Sequence, residues 1–247
     1  MYLRKLYEEG FVVGPNEDVE TFLNRVSYIK EALKNPKKLI EQIEQLQGEV
    51  EVLNHSLILF KSSKKLPFWF GGMTWICELD NGVKIPILQM PKKKRFFWVD
   101  IDEVISHEQV HAKRAAFNEN KFEEILAYRT SKARWRRFFG PLFSSNRQSF
   151  YFLSLASIGC LSPIFPNEWG ELLLLPFAIF LLTILTNLFK NQLLFHSALK
   201  NLKKEFVFPE KIIELLTDKE IIKYALKKSS TINRSSLRWK QIHLVDT

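Results

Sequence analysis

Ser106-His107-Glu108-Gln109-Val110-His111 is an H-E-x-x-H sequence, and it falls inside a predicted helix over 101–117. Residues four apart share one helical face, so His107 and His111 can present both imidazoles to one zinc ion. Glu108, beside them, is close enough to act on a water at that ion. Asp100 and Glu103 have capping-box spacing at the start of this helix. Asn118-Glu119-Asn120 breaks it, and Asn120 with Glu123 repeats the spacing for a second helix that reaches Phe139 and stops at Gly140-Pro141.

A hydrolytic zinc site needs a third protein ligand and one open position. Phe122-Glu123-Glu124-Ile125-Leu126-Ala127-Tyr128 supplies candidates across a short turn. If Glu123 serves as the capping-box residue, Glu124 is free to face the metal. Glu123 stays open as the alternative. Tyr128, Arg114 and Arg129 are candidate donors to an oxyanion, and spacing does not rank them.

Upstream, Thr74-Trp75-Ile76-Cys77-Glu78-Leu79 and Val83-Lys84-Ile85-Pro86-Ile87-Leu88 flank Asp80-Asn81-Gly82. Asn-Gly between two β-rich runs predicts a hairpin, because both residues tolerate the positive φ of a tight turn. Pro86 predicts an edge strand, since it cannot donate to a ladder. Residues 96–99 add a short strand. Before these, Val19, Phe22, Leu23, Val26 and Ile29 give a helical stripe over 16–33, ended at Lys34-Asn35-Pro36, and a second helix is expected over 37–46. The start, MYLRKLYEEGF, places two glutamates where a cleaved export signal needs an apolar core. Cys77 and Cys160 are too few and too far apart for a disulfide framework or a cysteine zinc site. His55, His196 and His243 stand alone, as does the basic tetrad Lys92-Lys93-Lys94-Arg95.

Downstream, 149–165 and 172–189 contain no Lys, Arg, Asp or Glu. At 1.5 Å per residue such runs reach roughly 25 Å, the short end of what crosses a bilayer core of about 30 Å. They predict a transmembrane hairpin. The chain carries 36 Lys and Arg against 27 Asp and Glu, a net charge of +9. That excess raises nucleic acid or an anionic membrane face as a partner, and its position decides for the membrane. Lys132, Arg134, Arg136, Arg137 and Arg147 precede the first run, Lys190, Lys200, Lys203 and Lys204 follow the second, and the connecting loop holds Glu168 and Glu171. The positive-inside rule then puts both termini in the cytoplasm, with Trp135 and Trp169 as interfacial anchors. Short helices are expected over 211–216 and 219–227, then a loosely ordered basic tail with Arg234, Arg238 and Lys240.

The His107-Glu108-x-x-His111 helix followed by Glu124-x-x-Ala127 resembles the zincin metallopeptidases of the gluzincin type, over about residues 96–140. That pattern often has Asp after the small residue, and this chain has Tyr128. In outline the apolar hairpin beside the motif is also similar to CAAX prenyl endopeptidases and heat-shock membrane proteases. The second similarity implies a competing third ligand, Glu214, in Glu214-Leu215-Leu216-Thr217-Asp218. The first implies an edge strand that pairs with an extended peptide substrate.

The expected fold is α+β: a mostly helical zincin-like core with a small antiparallel β-hairpin and a transmembrane helical hairpin. Its parts are N-terminal helices over 1–50, a metallopeptidase core over 51–143, the hairpin over 149–189, and cytoplasmic helices with a basic tail over 190–247. The expected activity is hydrolysis of protein or peptide substrates at the cytoplasmic face of a membrane, with Zn2+ as cofactor and Glu108 as general base; nucleic acid is not the expected partner. The alternative is a non-catalytic integral membrane protein whose cytoplasmic domain binds metal or a protein partner.

Overall fold

The computed structural model describes residues 2–36, 49–54, 56–62, 71–78, 84–92, 95–96, 99–164 and 168–247. The helix expected over 37–46, the Asp80-Asn81-Gly82 turn, His55, Lys93 and Lys94 lie outside the described residues, as do the side chains of Glu168, Trp169 and Glu171.

A short helix α1 (Tyr2–Glu8) leads to α2 (Val19–Lys34), which Asp18 caps by accepting from Thr21 N at 2.8 Å. Phe22, Val26 and Ile29 of α2 are buried, as their helical spacing requires. They pack on a sheet of β1 (Glu49–Asn54), β2 (Leu57–Lys61), β3 (Met73–Glu78) and β4 (Lys84–Met90), in the order β1-β2-β4-β3. The expected hairpin is present as the antiparallel β3–β4 pair, but β2 runs parallel to β4, so the sheet is mixed. Ile58 and Phe60 face the first two helices, while Leu57, Leu59, Leu88 and Met90 face Val104 and Ile105 of the following helix. Both faces are therefore covered, and β2 reads as a continuous apolar run instead of an alternating one.

Pro86 is not on an edge strand. Its strand lies inside the sheet, and the proline is tolerated because pairing with β2 begins only at Ile87. Residues 95–96 and 99–100 form two two-residue strands, β5 (Arg95–Phe96) and β6 (Val99–Asp100), paired antiparallel.

Helix α3 (Ile101–Lys113) carries the histidines. Neither capping box around it forms. Asp100 is the N-cap residue without a side-chain cap bond, and Glu103 instead accepts from Lys132 N at 3.3 Å, from Arg136 Nη1 at 2.9 Å and from the Ser131 hydroxyl. The second expected helix is two pieces, α4 (Glu123–Tyr128) and α5 (Arg134–Phe139), followed by a 3-10 turn at Gly140–Leu142.

Of the two apolar runs, the first forms α6 (Asn146–Gly159) and a 3-10 turn at Ser162–Ile164. Its 14 residues reach about 21 Å, short of a bilayer core of about 30 Å. The helix ends at Gly159, and the chain turns through Ser162–Ile164 before the apolar run is complete. The second run forms α7 (Glu168–Leu202), the one helix among the described residues that is long and apolar enough to cross a membrane. Leu175, Ile179 and Leu182 on it are exposed, whereas Phe195, Ala198 and Leu202 are buried.

The end of the chain is ordered, contrary to the loose tail expected. α8 (Pro209–Glu214) and α9 (Asp218–Ala225), the latter with a Thr217–Glu220 capping box, are followed by α10 (Leu237–Asp246). Arg238 is buried against Glu220 at 2.7 Å, and Trp239 Nε1 donates to the same carboxylate at 2.9 Å. Arg234 pairs with Glu205. Trp239 and Ile242 complete a helical core with Phe122 just before α4, Ile125 and Leu126 of α4, Phe195 of α7 and Ile213 of α8.

Candidate metal centre

His107 and His111 stand one turn apart on α3, with their Nε2 atoms 3.3 Å from each other. The chain reverses after α3 through Asn118, at φ 52°, a left-handed conformation that asparagine tolerates better than most residues. The reversal brings the first turn of α4 back against the histidines. Glu124 Oε2 lies 3.6 Å from His107 Nε2, and its Oε1 lies 3.6 Å from His111 Nε2. All three ligand-type groups are part-buried, with donor atoms within 4.8 Å of one another. Four-coordinate zinc holds nitrogen and oxygen at about 2.0–2.1 Å, which places neighbouring ligands of a tetrahedron about 3.3–3.4 Å apart. The spacing of the trio fits that requirement.

Glu123 is not a cap. Its Oε1 lies 3.2 Å from His111 Nδ1, and its Oε2 accepts from Arg114 Nε at 2.8 Å. Glu123 thus bridges the far nitrogen of the His111 ring and the Arg114 guanidinium. Arg114 is buried, and its Nη2 lies 3.7 Å from Glu119 Oε2 without a hydrogen bond. It also donates through Nη1 to the carbonyls of Glu214 at 2.6 Å and Leu216 at 3.0 Å, and it lies over the Phe117 ring.

Burial, with His111 and Arg136 nearby, drives the His107 pKa down to about 3. Burial acts in the same direction on His111 but is outweighed by the Glu123 bond and by Glu124 and Glu108, which raise its pKa to about 9. Burial, with Glu108 and Glu123 beside it, raises Glu124 above the usual carboxylate range. The three carboxylates, Glu108, Glu123 and Glu124, are faced in this pocket by His111, Arg114 and Arg136.

Glu108 and the trio line a pocket of about 550 Å³. Glu108 Oε2 accepts from Thr74 Oγ1 of β3 at 2.8 Å. Tyr128 lies edge-on to His107 with ring centres 4.5 Å apart, and burial raises its phenol pKa so that it remains a proton donor. Gly140 makes that placement possible, since a Cβ there would come within 2.2 Å of the Tyr128 ring. Arg136 reaches the same pocket, whereas Arg129 lies over Phe195. Glu214 is not part of the trio. Its carboxyl is buried, and that burial raises its pKa against the opposing charges of Lys113, Arg114, Arg129 and Lys211.

No protein-family model, curated protein or solved structure matches the chain. Of the residues around the trio, Thr74, Glu123 in its supporting role, Arg136 and Gly140 were not signalled by the sequence. Thr74 is 34 positions from Glu108, and Glu123 carried a capping-box spacing that pointed elsewhere.

Proposed function

We propose that the chain is a membrane-associated zinc-dependent metallopeptidase, with His107, His111 and Glu124 as ligands and Glu108 as general base. The observation that carries this reading is the convergence of three ligand-type groups at 3.3 to 3.6 Å in a pocket that also holds Glu108. Zinc held there would lower the pKa of water toward about 7 and polarise a substrate carbonyl.

The chain's own groups do the rest. Glu108, held by Thr74, takes a proton from the attacking water and passes it to the leaving amine. Glu123 keeps His111 oriented. Tyr128 and Arg136 supply donors for the developing oxyanion. β3 is an edge strand beside Glu108, suited to pairing with an extended peptide.

In the same reading α7 anchors the chain in a membrane, and α6 enters beside it as a shorter second leg. Lys132, Arg134, Arg136 and Arg137 before α6 and Arg147 in its first turn, with Lys190 after the apolar part of α7, favour a cytoplasmic site by the positive-inside rule.

The test is metal analysis and peptide cleavage with the detergent-purified full chain. The wild type is expected to hold one zinc per chain, His107→Ala and His111→Ala to lose it, and Glu108→Gln to keep zinc but not cleave. Wild-type protein that stays zinc-free in metal-replete buffer would overturn the reading.

A further inference from the structure

A second cavity, of about 340 Å³, adjoins the first and shares Asn120 and Glu124 with it. Much of its remaining wall comes from Ile184, Asn187, Leu188 and Asn191 of α7. These positions are spaced i, i+3, i+4 and i+7, so they form one helical face. They also straddle the place where the uncharged run ends at Phe189 and the basic flank begins at Lys190. The cavity therefore opens at the level where the apolar hairpin meets the helical core, and Glu124 belongs both to its wall and to the three-residue cluster.

Asn187 is the single amide side chain in 172–189. The two threonines near it are satisfied within the helix, Thr183 donating to Ile179 O at 2.8 Å and Thr186 to Leu182 O at 2.7 Å. The side chains of Asn187 and Asn191 make no hydrogen bond to the described residues, and both residues line the cavity. A polar side chain at the edge of a membrane segment is costly unless it faces a wet path, and such residues mark substrate routes. An amide offers one acceptor and two donors, the complement of a peptide group. A phospholipid headgroup fits less well, because the lining has one cation, Lys121, and also contains the Glu124 carboxylate.

The geometry points to this cavity as a substrate subsite that takes the polypeptide linking the scissile bond to a membrane-embedded segment. Bonds would then be cut just outside the bilayer in membrane-anchored chains. The inference rests on the peptidase reading, and it adds where the substrate comes from and which residues receive it.

Photo-crosslinking tests it without relying on turnover. Full-length Glu108→Gln protein, loaded with zinc in phosphatidylcholine–phosphatidylglycerol vesicles, is mixed with a single-span peptide carrying benzoylphenylalanine at successive positions of its cytoplasmic flank. Membrane-proximal positions are expected to crosslink within 184–191. Adding Asn191→Leu, or Asn187→Leu as a separate second variant, should lower that yield at least ten-fold while zinc content reports an intact fold. Crosslinks confined to β3 and the histidine pocket, or spread over the outer faces of α6 and α7, would overturn the inference. Crosslinks within 184–191 with no cleavage of the same peptide by the wild type would support the cavity as a polypeptide site and overturn the peptidase reading instead.

Discussion

One oxygen of Glu123 lies 3.2 Å from His111 Nδ1 and the other accepts from Arg114 Nε at 2.8 Å, so a single carboxylate ties a proposed metal ligand to a buried guanidinium. Removing it frees the imidazole and leaves a charge stranded in the core. Glu123→Ala is expected to weaken zinc binding about 10- to 100-fold and to cost about 3 kcal/mol of stability. Glu123→Gln, which keeps an acceptor for one partner, should lose less of both. Competition with a chromophoric chelator and thermal unfolding would measure them separately, and unchanged zinc affinity in Glu123→Ala would remove the supporting role. The shared helical face of His107 and His111, with Glu108 beside them, was legible because it depends on spacing over a few residues, whereas Glu124 was preferred on a capping box at Glu123 that does not form, and its approach to the histidines comes from packing. The role of Glu123 was hidden because the same residue type at the same spacing serves a local cap or a partner 12 positions away, and only packing distinguishes these.

The helix starts and stops show the same limit among the elements. Glu103 has capping-box spacing from Asp100, yet it accepts from Ser131, Lys132 and Arg136 and so joins α3 to α5. The Glu214–Asp218 segment, which offered a competing ligand by resemblance, braces the centre from behind. Asp218 accepts from Lys121 N at 2.9 Å and Phe122 N at 3.3 Å, while Glu119 accepts from Asp218 N at 2.7 Å. These bonds fix the turn that delivers α4 to the histidines. Asp218→Ala leaves two backbone donors without their carboxylate, one of them partly screened by water, and is expected to cost about 1–2 kcal/mol. Zinc affinity should fall with it even though Asp218 touches none of the three ligands. Lowered stability with unchanged zinc affinity would show that the brace and the centre are independent.

The whole molecule is organised by α7, which is apolar and exposed in its first half and forms the spine of the helical core in its second. Its uncharged run was legible in the composition. The length of its partner was not, since counting apolar residues through 165 overlooks the stop at Gly159 that limits α6 to 14 residues. The two halves of α7 can be separated by charge. Leu182 is 67% exposed within the apolar run, and Leu193 is 71% exposed beyond Lys190. An arginine near the centre of a membrane-spanning helix costs about 2.5–3.5 kcal/mol of insertion, whereas one beyond the basic flank costs little. Leu182→Arg is therefore expected to reduce the share of protein retained in alkali-washed membranes, while Leu193→Arg should fractionate as the wild type does. Equal retention of the two variants would contradict burial of the first half in lipid. Loss of both would place the membrane boundary beyond Leu193, and with it the cavity at Asn187 and Asn191 would lie within the bilayer rather than at its surface.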